Sequence, residues 1–262
     1  NWMGWQPPNE PSTFADLFAL PGPRPMQEQV IELAERLDRP ALVIIEAPTG
    51  VGKTEAALYL ADHWARVLQQ RGLYVAMPTM ATSNQMFGRV GDVLSRRYPE
   101  MTVEPLLVHS QARWSHKKPP PEIHVSRQGI RDRDQEIDSM AWFLPRKRSL
   151  LAPFGVGTVD QTFLSVLQTR HFFVRLFGLS HKTIIFDEVH AYDTYMSELF
   201  QRLIGWLRAA EANVVILSAT LPERTRRQLL QAYAGTQTAE QPRSAYPAIT
   251  WASAGEVAVI PV

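Results

Sequence analysis

Ala47-Pro48-Thr49-Gly50-Val51-Gly52-Lys53-Thr54 decides the fold of this 262-residue chain. It stands between a continuous apolar run, Ala41-Leu42-Val43-Ile44-Ile45, and a segment in which Ala57, Leu60, Ala61, Trp64 and Leu68 recur at helical spacing. The run predicts a strand buried on both faces and the spacing an amphipathic helix. Between them, Gly50 and Gly52 let the backbone curl until its N–H groups converge. A helix starting near Lys53 adds its own unpaired N–H groups and the positive end of its dipole. Thr49, Gly50, Val51, Gly52, Lys53 and Thr54 then form a cradle for the phosphates of ATP. The Lys53 ammonium reaches the β- and γ-phosphates, and the Thr54 hydroxyl reaches Mg²⁺. The strict pattern has glycine where Ala47 stands, so this is a variant, supported by its strand–loop–helix context.

The same rhythm continues outward. Leu73 to Met77 predicts a second strand, Ala81 to Tyr98 a second helix and Val103 to Val108 a third strand. Thr183-Ile184-Ile185-Phe186 is another apolar run, followed by a helix expected to turn Leu199, Phe200, Leu203, Trp206 and Leu207 inward. Val214 to Leu217 and Glu223 to Ala234 supply one more strand and helix. This alternation predicts an α/β fold with a mostly parallel sheet and helices on both faces. Its functional site belongs at the carboxyl ends of the strands.

Asp187-Glu188-Val189-His190 closes the strand that ends at Phe186. Beside a phosphate loop, Asp187 is suited to hold Mg²⁺, chiefly through its waters, and Glu188 to orient and deprotonate an attacking water. Ser218-Ala219-Thr220 closes the next strand; its value lies in that position, since such tripeptides are common helix caps. His190, Ser218 and Thr220 are candidates for coupling the acidic pair to a neighbouring lobe.

The flanks are less regular. Residues 1–25 hold six prolines among Trp2, Trp5, Phe14 and Phe18 and read as a linker laid over a neighbouring surface. Residues 111–150 carry nine Lys or Arg against five Asp or Glu and include Pro119-Pro120-Pro121. A solvated insertion and a nucleic-acid or partner surface both fit such a stretch. The net charge of +1 drives the chain toward neither nucleic acid nor membrane, so such a partner is met by a local patch. The absence of cysteine excludes disulfides, thiol nucleophiles and cysteine-ligated zinc. No apolar run approaches the roughly 18–20 residues of a membrane span, so no membrane partner is expected and a cytoplasmic setting is.

Together these elements resemble superfamily 2 helicases, whose first RecA-like lobe carries them in this order. The resemblance covers about Arg24 to Ala234 and implies a P-loop RecA-like domain over residues 26–234, with 235–262 leading toward a second lobe. It also implies that Gln27 reads the adenine edge, and that Thr79 (in Ala76-Met77-Pro78-Thr79) and Thr158 (in Gly157-Thr158-Val159-Asp160-Gln161) meet nucleic-acid phosphates. Plain helix caps are the other reading of those two threonines.

A nearer resemblance is to the CRISPR-associated helicase–nuclease of type I systems. It rests on Glu46 through Ala56, Pro78-Thr79 with Ser83-Asn84-Gln85, Gly157 to Gln161, and Asp187-Glu188-Val189-His190-Ala191-Tyr192-Asp193. That family implies an ATP-dependent motor that pulls single-stranded DNA into a histidine–aspartate nuclease after recruitment by an RNA-guided surveillance complex. No His-Asp dipeptide occurs in this chain, so the nuclease lies outside it. The arginine that completes the ATP site is expected from the second lobe, with Arg224, Arg226 and Arg227 facing solvent or that lobe. Another superfamily 2 motor (an RNA helicase or a restriction translocase subunit) and a non-hydrolysing partner-docking module are the alternatives.

Overall fold

The strand that precedes the phosphate loop, β1 (Ala41–Glu46), is buried at all six positions. In the computed structural model, which describes residues 6–99, 105–108, 149–167, 172–189, 194–235 and 246–262, it lies within an eight-stranded sheet. The other strands are β2 (Leu73–Met77), β3 (Leu106–Val108), β4 (Phe154–Thr158), β5 (Thr183–Phe186), β6 (Asn213–Ser218), β7 (Ala248–Ser253) and β8 (Glu256–Pro261). Their order is β3-β4-β2-β5-β6-β1-β7-β8. The pairings from β3 to β1 are parallel, and only β7 and β8 join antiparallel.

Successive strand residues point to opposite faces, and each face has its own core. Val43, Ile45, Val75, Ile185 and Val215 meet α2 (Pro25–Arg36), α3 (Lys53–Val67) and α4 (Met80–Arg97). Leu42, Ile44, Ile184, Phe186, Val214 and Ile216 meet α5 (Asp160–Phe163), α6 (Phe172–Leu179), α7 (Thr194–Ala209) and α8 (Glu223–Ala234). This explains the unbroken apolar runs: with helices on both faces, β1, β2, β4, β5 and β6 leave no position for water. Each fully buried Leu, Ile, Val or Phe contributes about 1.5–3 kcal/mol.

One sequence expectation about the elements needs correction. Trp206 is half exposed, and Ile204 takes the buried place on α7 beside Leu199, Phe200, Leu203 and Leu207. At ~100° per residue, Trp206 lies about 90° from the centre of that stripe. Residues 248–261, within the segment read as leading toward a second lobe, form a hairpin that adds β7 to the open edge of β1. The two-residue turn Ala254-Gly255, with Gly255 at φ 84, lets the chain fold straight back.

Residues 14–18 within the proline-rich stretch form a one-turn helix, α1 (Phe14–Phe18). It is closed by a Thr13–Asp16 capping box and buries Phe14 and Leu17. Phe14 packs against Tyr59 of α3, and Arg97 of α4 donates to the Glu10 carbonyl. The expectations for residues 111–148 and for His190 lie outside the described residues.

Candidate nucleotide site

Strands β5, β6 and β1 are neighbours, so their carboxyl ends bring Asp187, Ser218 and the loop after Glu46 side by side. Segments more than a hundred residues apart thereby share one cleft of ≈ 590 Å³.

Gly50 and Gly52 have φ of 85° and 92°, the left-handed backbone that turns the loop. At Gly52 space is decisive as well: a Cβ there would fall 2.1 Å from the Gln27 amide nitrogen. The Gln27 amide donates to the Gly52 carbonyl at 3.0 Å, and its oxygen accepts the Arg24 N–H at 2.8 Å. Gln27 thus braces the loop against the start of α2, with both ends of its amide engaged, where the resemblance put it on an adenine edge. Arg24 adds a second brace, its guanidinium donating to the Gly50 carbonyl at 2.5 Å.

The ammonium of Lys53 sits inside the curl, 2.6 Å from the Ala47 carbonyl and 2.9 Å from that of Pro48. Burial draws its pKa down from the usual lysine value, and the charges of Asp187 and Glu188 oppose that shift. Lys53 opens α3, and Thr54, the next residue, lines the same cleft.

Across the cleft, burial raises the Asp187 carboxyl above the usual carboxylate range. The Glu188 N–H, donated to Asp187 Oδ1 at 2.9 Å, and the charges of Lys53 and Arg89 pull the other way. Glu188 is held at φ 54, a left-handed backbone that costs a side-chain-bearing residue on the order of 1–3 kcal/mol. That turn leaves the Glu188 carboxylate exposed at the mouth while Asp187 stays half buried. Strain of this kind at a strand end marks a site whose geometry is held by its surroundings.

Ser218 is buried, and its hydroxyl donates to the Thr220 carbonyl at 2.7 Å, closing the turn after β6. This turn is tied directly to the phosphate-loop strand. Glu46 accepts the Leu221 N–H at 3.0 Å with one carboxylate oxygen and the Arg226 guanidinium at 2.7 Å with the other. Arg226 is therefore an internal ion-pair partner, contrary to the expectation that it faces solvent or another lobe. Its helix turns it inward, while Arg227 pairs with Glu223 on the exposed face.

The two threonines expected on nucleic acid differ. Thr79 is exposed and caps α4, accepting the Thr82 N–H at 3.2 Å. Thr158 is 4% exposed as the last residue of β4, so this conformation does not present its hydroxyl to a strand. Its backbone pairs with Met77 in the parallel ladder of β2 and β4. Nearby, Arg175 of α6 donates to Gln161 at 2.9 Å and fixes the turn that follows Thr158.

Sequence reasoning gave no role to Glu46, Arg24 or Arg89. The available signal for Arg89 was spacing: Thr82, Gln85, Met86 and Arg89, at i, i+3, i+4 and i+7 of α4, all line the cleft.

A glycine-turned loop after β1 and, across β6, a half-buried aspartate and a strained glutamate after β5 define the nucleotide-binding lobe of a P-loop motor. The chain belongs to the DEAD/DEAH box helicase family, whose profile matches residues 24–229. It is 43% identical over 244 residues to the CRISPR-associated endonuclease/helicase Cas3 of Thermus thermophilus, covering 92% of this chain and 26% of that protein. The crystal structure of T. fusca Cas3 with ATP superposes with a TM-score of 0.79 at 33% identity, over 95% of this chain and 28% of that one. A chain of a pre-nicking CRISPR RNA-guided surveillance complex matches with a TM-score of 0.64 at 31% identity, over 90% of this chain and 24% of that one. The chain thus spans about a quarter of the length of the Thermus relative.

Proposed function

We propose that this lobe binds Mg-ATP and, in the whole protein, hydrolyses it to draw single-stranded DNA through a CRISPR type I helicase–nuclease. The observation that carries this reading is the meeting of Lys53, Thr54, Asp187 and Glu188 in one cleft, at the carboxyl ends of β1 and β5 on either side of β6. Lys53 and the loop amides hold the phosphates. The Thr54 hydroxyl and the Asp187 carboxylate are hard oxygen donors of the kind Mg²⁺ takes. Among the described residues no cluster of three His, Asp or Glu offers a protein-only cage, which suits an ion held largely by phosphates and water. Bound there, Mg²⁺ would neutralise charge developing on the phosphates.

Glu188 is the base for the attacking water: it is exposed at the cleft mouth, and its backbone is turned there by the bond to Asp187. The links Ala47–Ser218 and Glu46–Arg226 join the loop to the turn at Ser218 and Thr220. Through them the phosphate state reaches the surface that meets a second RecA-like lobe, which supplies the completing arginine. Thr79, exposed on the cap of α4, contacts the DNA backbone. The attached nuclease and recruitment by the RNA-guided surveillance complex follow from likeness to the Cas3 relatives.

The test is steady-state ATPase of the full-length protein with and without single-stranded DNA, together with DNA binding across a salt series. Turnover should rise with DNA, and affinity should fall steeply as salt rises, because phosphate contacts release counterions. DNA-independent turnover with salt-insensitive binding would sink the motor reading.

A further inference from the structure

Arg89 stands on α4 with its guanidinium half exposed at the wall of the nucleotide cleft. It pairs with Glu55 and lies 3.5 Å from the Thr54 hydroxyl. Its charge also reaches the Asp187 carboxyl. Thr54 and Asp187 are the groups read above as holding the metal end of Mg-ATP, so Arg89 is at the terminal-phosphate end of the cleft. Arg24, by contrast, is tied to the outer turn of the loop at Gly50.

The plain alternative is that Arg89 only staples α4 to α3. Those helices already share a better staple further along: Arg97 and Asp62 pair at 2.7 Å, with both side chains at least 87% buried. A half-exposed pair adds little to that, which does not explain a guanidinium at the wall of the cleft.

We infer that Arg89 is a triphosphate-sensing residue, a cation supplied by this lobe that distinguishes ATP from ADP by contact with the terminal phosphate. The inference rests on the phosphate-loop reading above. Glu55, directly after Thr54, anchors the guanidinium and offsets its charge. Arg89 has five N–H donors in a fixed fork, so it can keep the Glu55 contact and still direct others at a phosphate oxygen. When the Thr54 hydroxyl turns to the metal, the N–H now near it is released for that use. Because α4 begins at the Thr79 cap, a pull on Arg89 by the terminal phosphate acts on the same rigid helix that carries the proposed DNA contact.

Calorimetric titration of the full-length protein with Mg²⁺ and either AMPPNP or ADP tests this. Arg89→Ala should weaken AMPPNP about tenfold or more, as expected for a lost charge-assisted hydrogen bond, while ADP affinity changes less than about twofold. Arg89→Lys should retain part of the preference. Equal weakening of both nucleotides, or no change in either, would reduce Arg89 to a brace and overturn the inference. Lys53→Ala in the same assay separates the two readings: unchanged affinity there would overturn the phosphate loop itself.

Discussion

Lys53 and Glu188 face one cleft, yet their substitutions have different expected signatures. The Lys53 ammonium is enclosed by its own loop, with Ala47 and Pro48 carbonyls as partners. Lys53→Ala should cost a charge-assisted contact of about 1.5–3 kcal/mol, a tenfold to hundredfold loss of nucleotide affinity. Calorimetry with AMPPNP measures it directly. Glu188 is exposed and strained, and its proposed work is in the transition state. Glu188→Gln in the full-length protein should therefore leave nucleotide affinity within about twofold while DNA-stimulated hydrolysis collapses. Wild-type turnover in that variant would send the search for the base elsewhere. Both residues are candidates from their motifs alone, because phosphate chemistry asks for those side chains at that spacing. Arg89 was not: a lone arginine on a helix says nothing until α3 and α4 are packed together.

At the level of elements, the join between β1 and the start of α8 is the most consequential contact that motif reading missed. Glu46 is 5% exposed and satisfies both the Leu221 N–H and Arg226. Glu46→Ala would leave the Arg226 charge and a backbone donor without their partner, at a cost of about 3–5 kcal/mol. Denaturant titration of the chain should show this as a lower midpoint. The double change Glu46→Leu with Arg226→Met should recover most of the loss, since a buried ion pair is replaceable by apolar groups of similar size. A double variant as unstable as Glu46→Ala would mean that the Leu221 hydrogen bond, not the ion pair, carries the join. The hairpin of β7 and β8 was equally invisible in advance. Its six-residue strands are short and partly polar, and what makes them strands is the open edge of β1.

Across the whole molecule, the amino ends of the strands carry a second buried charge, remote from the cleft. Lys182 is 5% exposed and donates to the Leu150 and Ala152 carbonyls at 2.7 and 2.6 Å. Burial draws its pKa down to about 7, from an ordinary value of 10.5. Between those values the unfolded chain binds more protons than the folded one, so stability should rise as pH rises from about 7 toward 10. A neutral amine still has two N–H groups for two carbonyls, so losing the proton costs neither bond. The gain is on the order of 3–5 kcal/mol across the window. Lys182→Met should remove that slope, and the difference between the two proteins in denaturation midpoint against pH measures it. Parallel slopes would show that Lys182 stays charged. The sequence by itself determined the alternation of strands and helices and singled out the glycine-rich loop and the acidic pair, because periodicity and motif chemistry are local properties of the chain. Only the tertiary structure decided the order β5-β6-β1, the inward turn of Arg226, the burial of Thr158 and the position of Arg89. Each of those depends on which distant surface packs against the residue, and strand order and helix docking are set by the whole core.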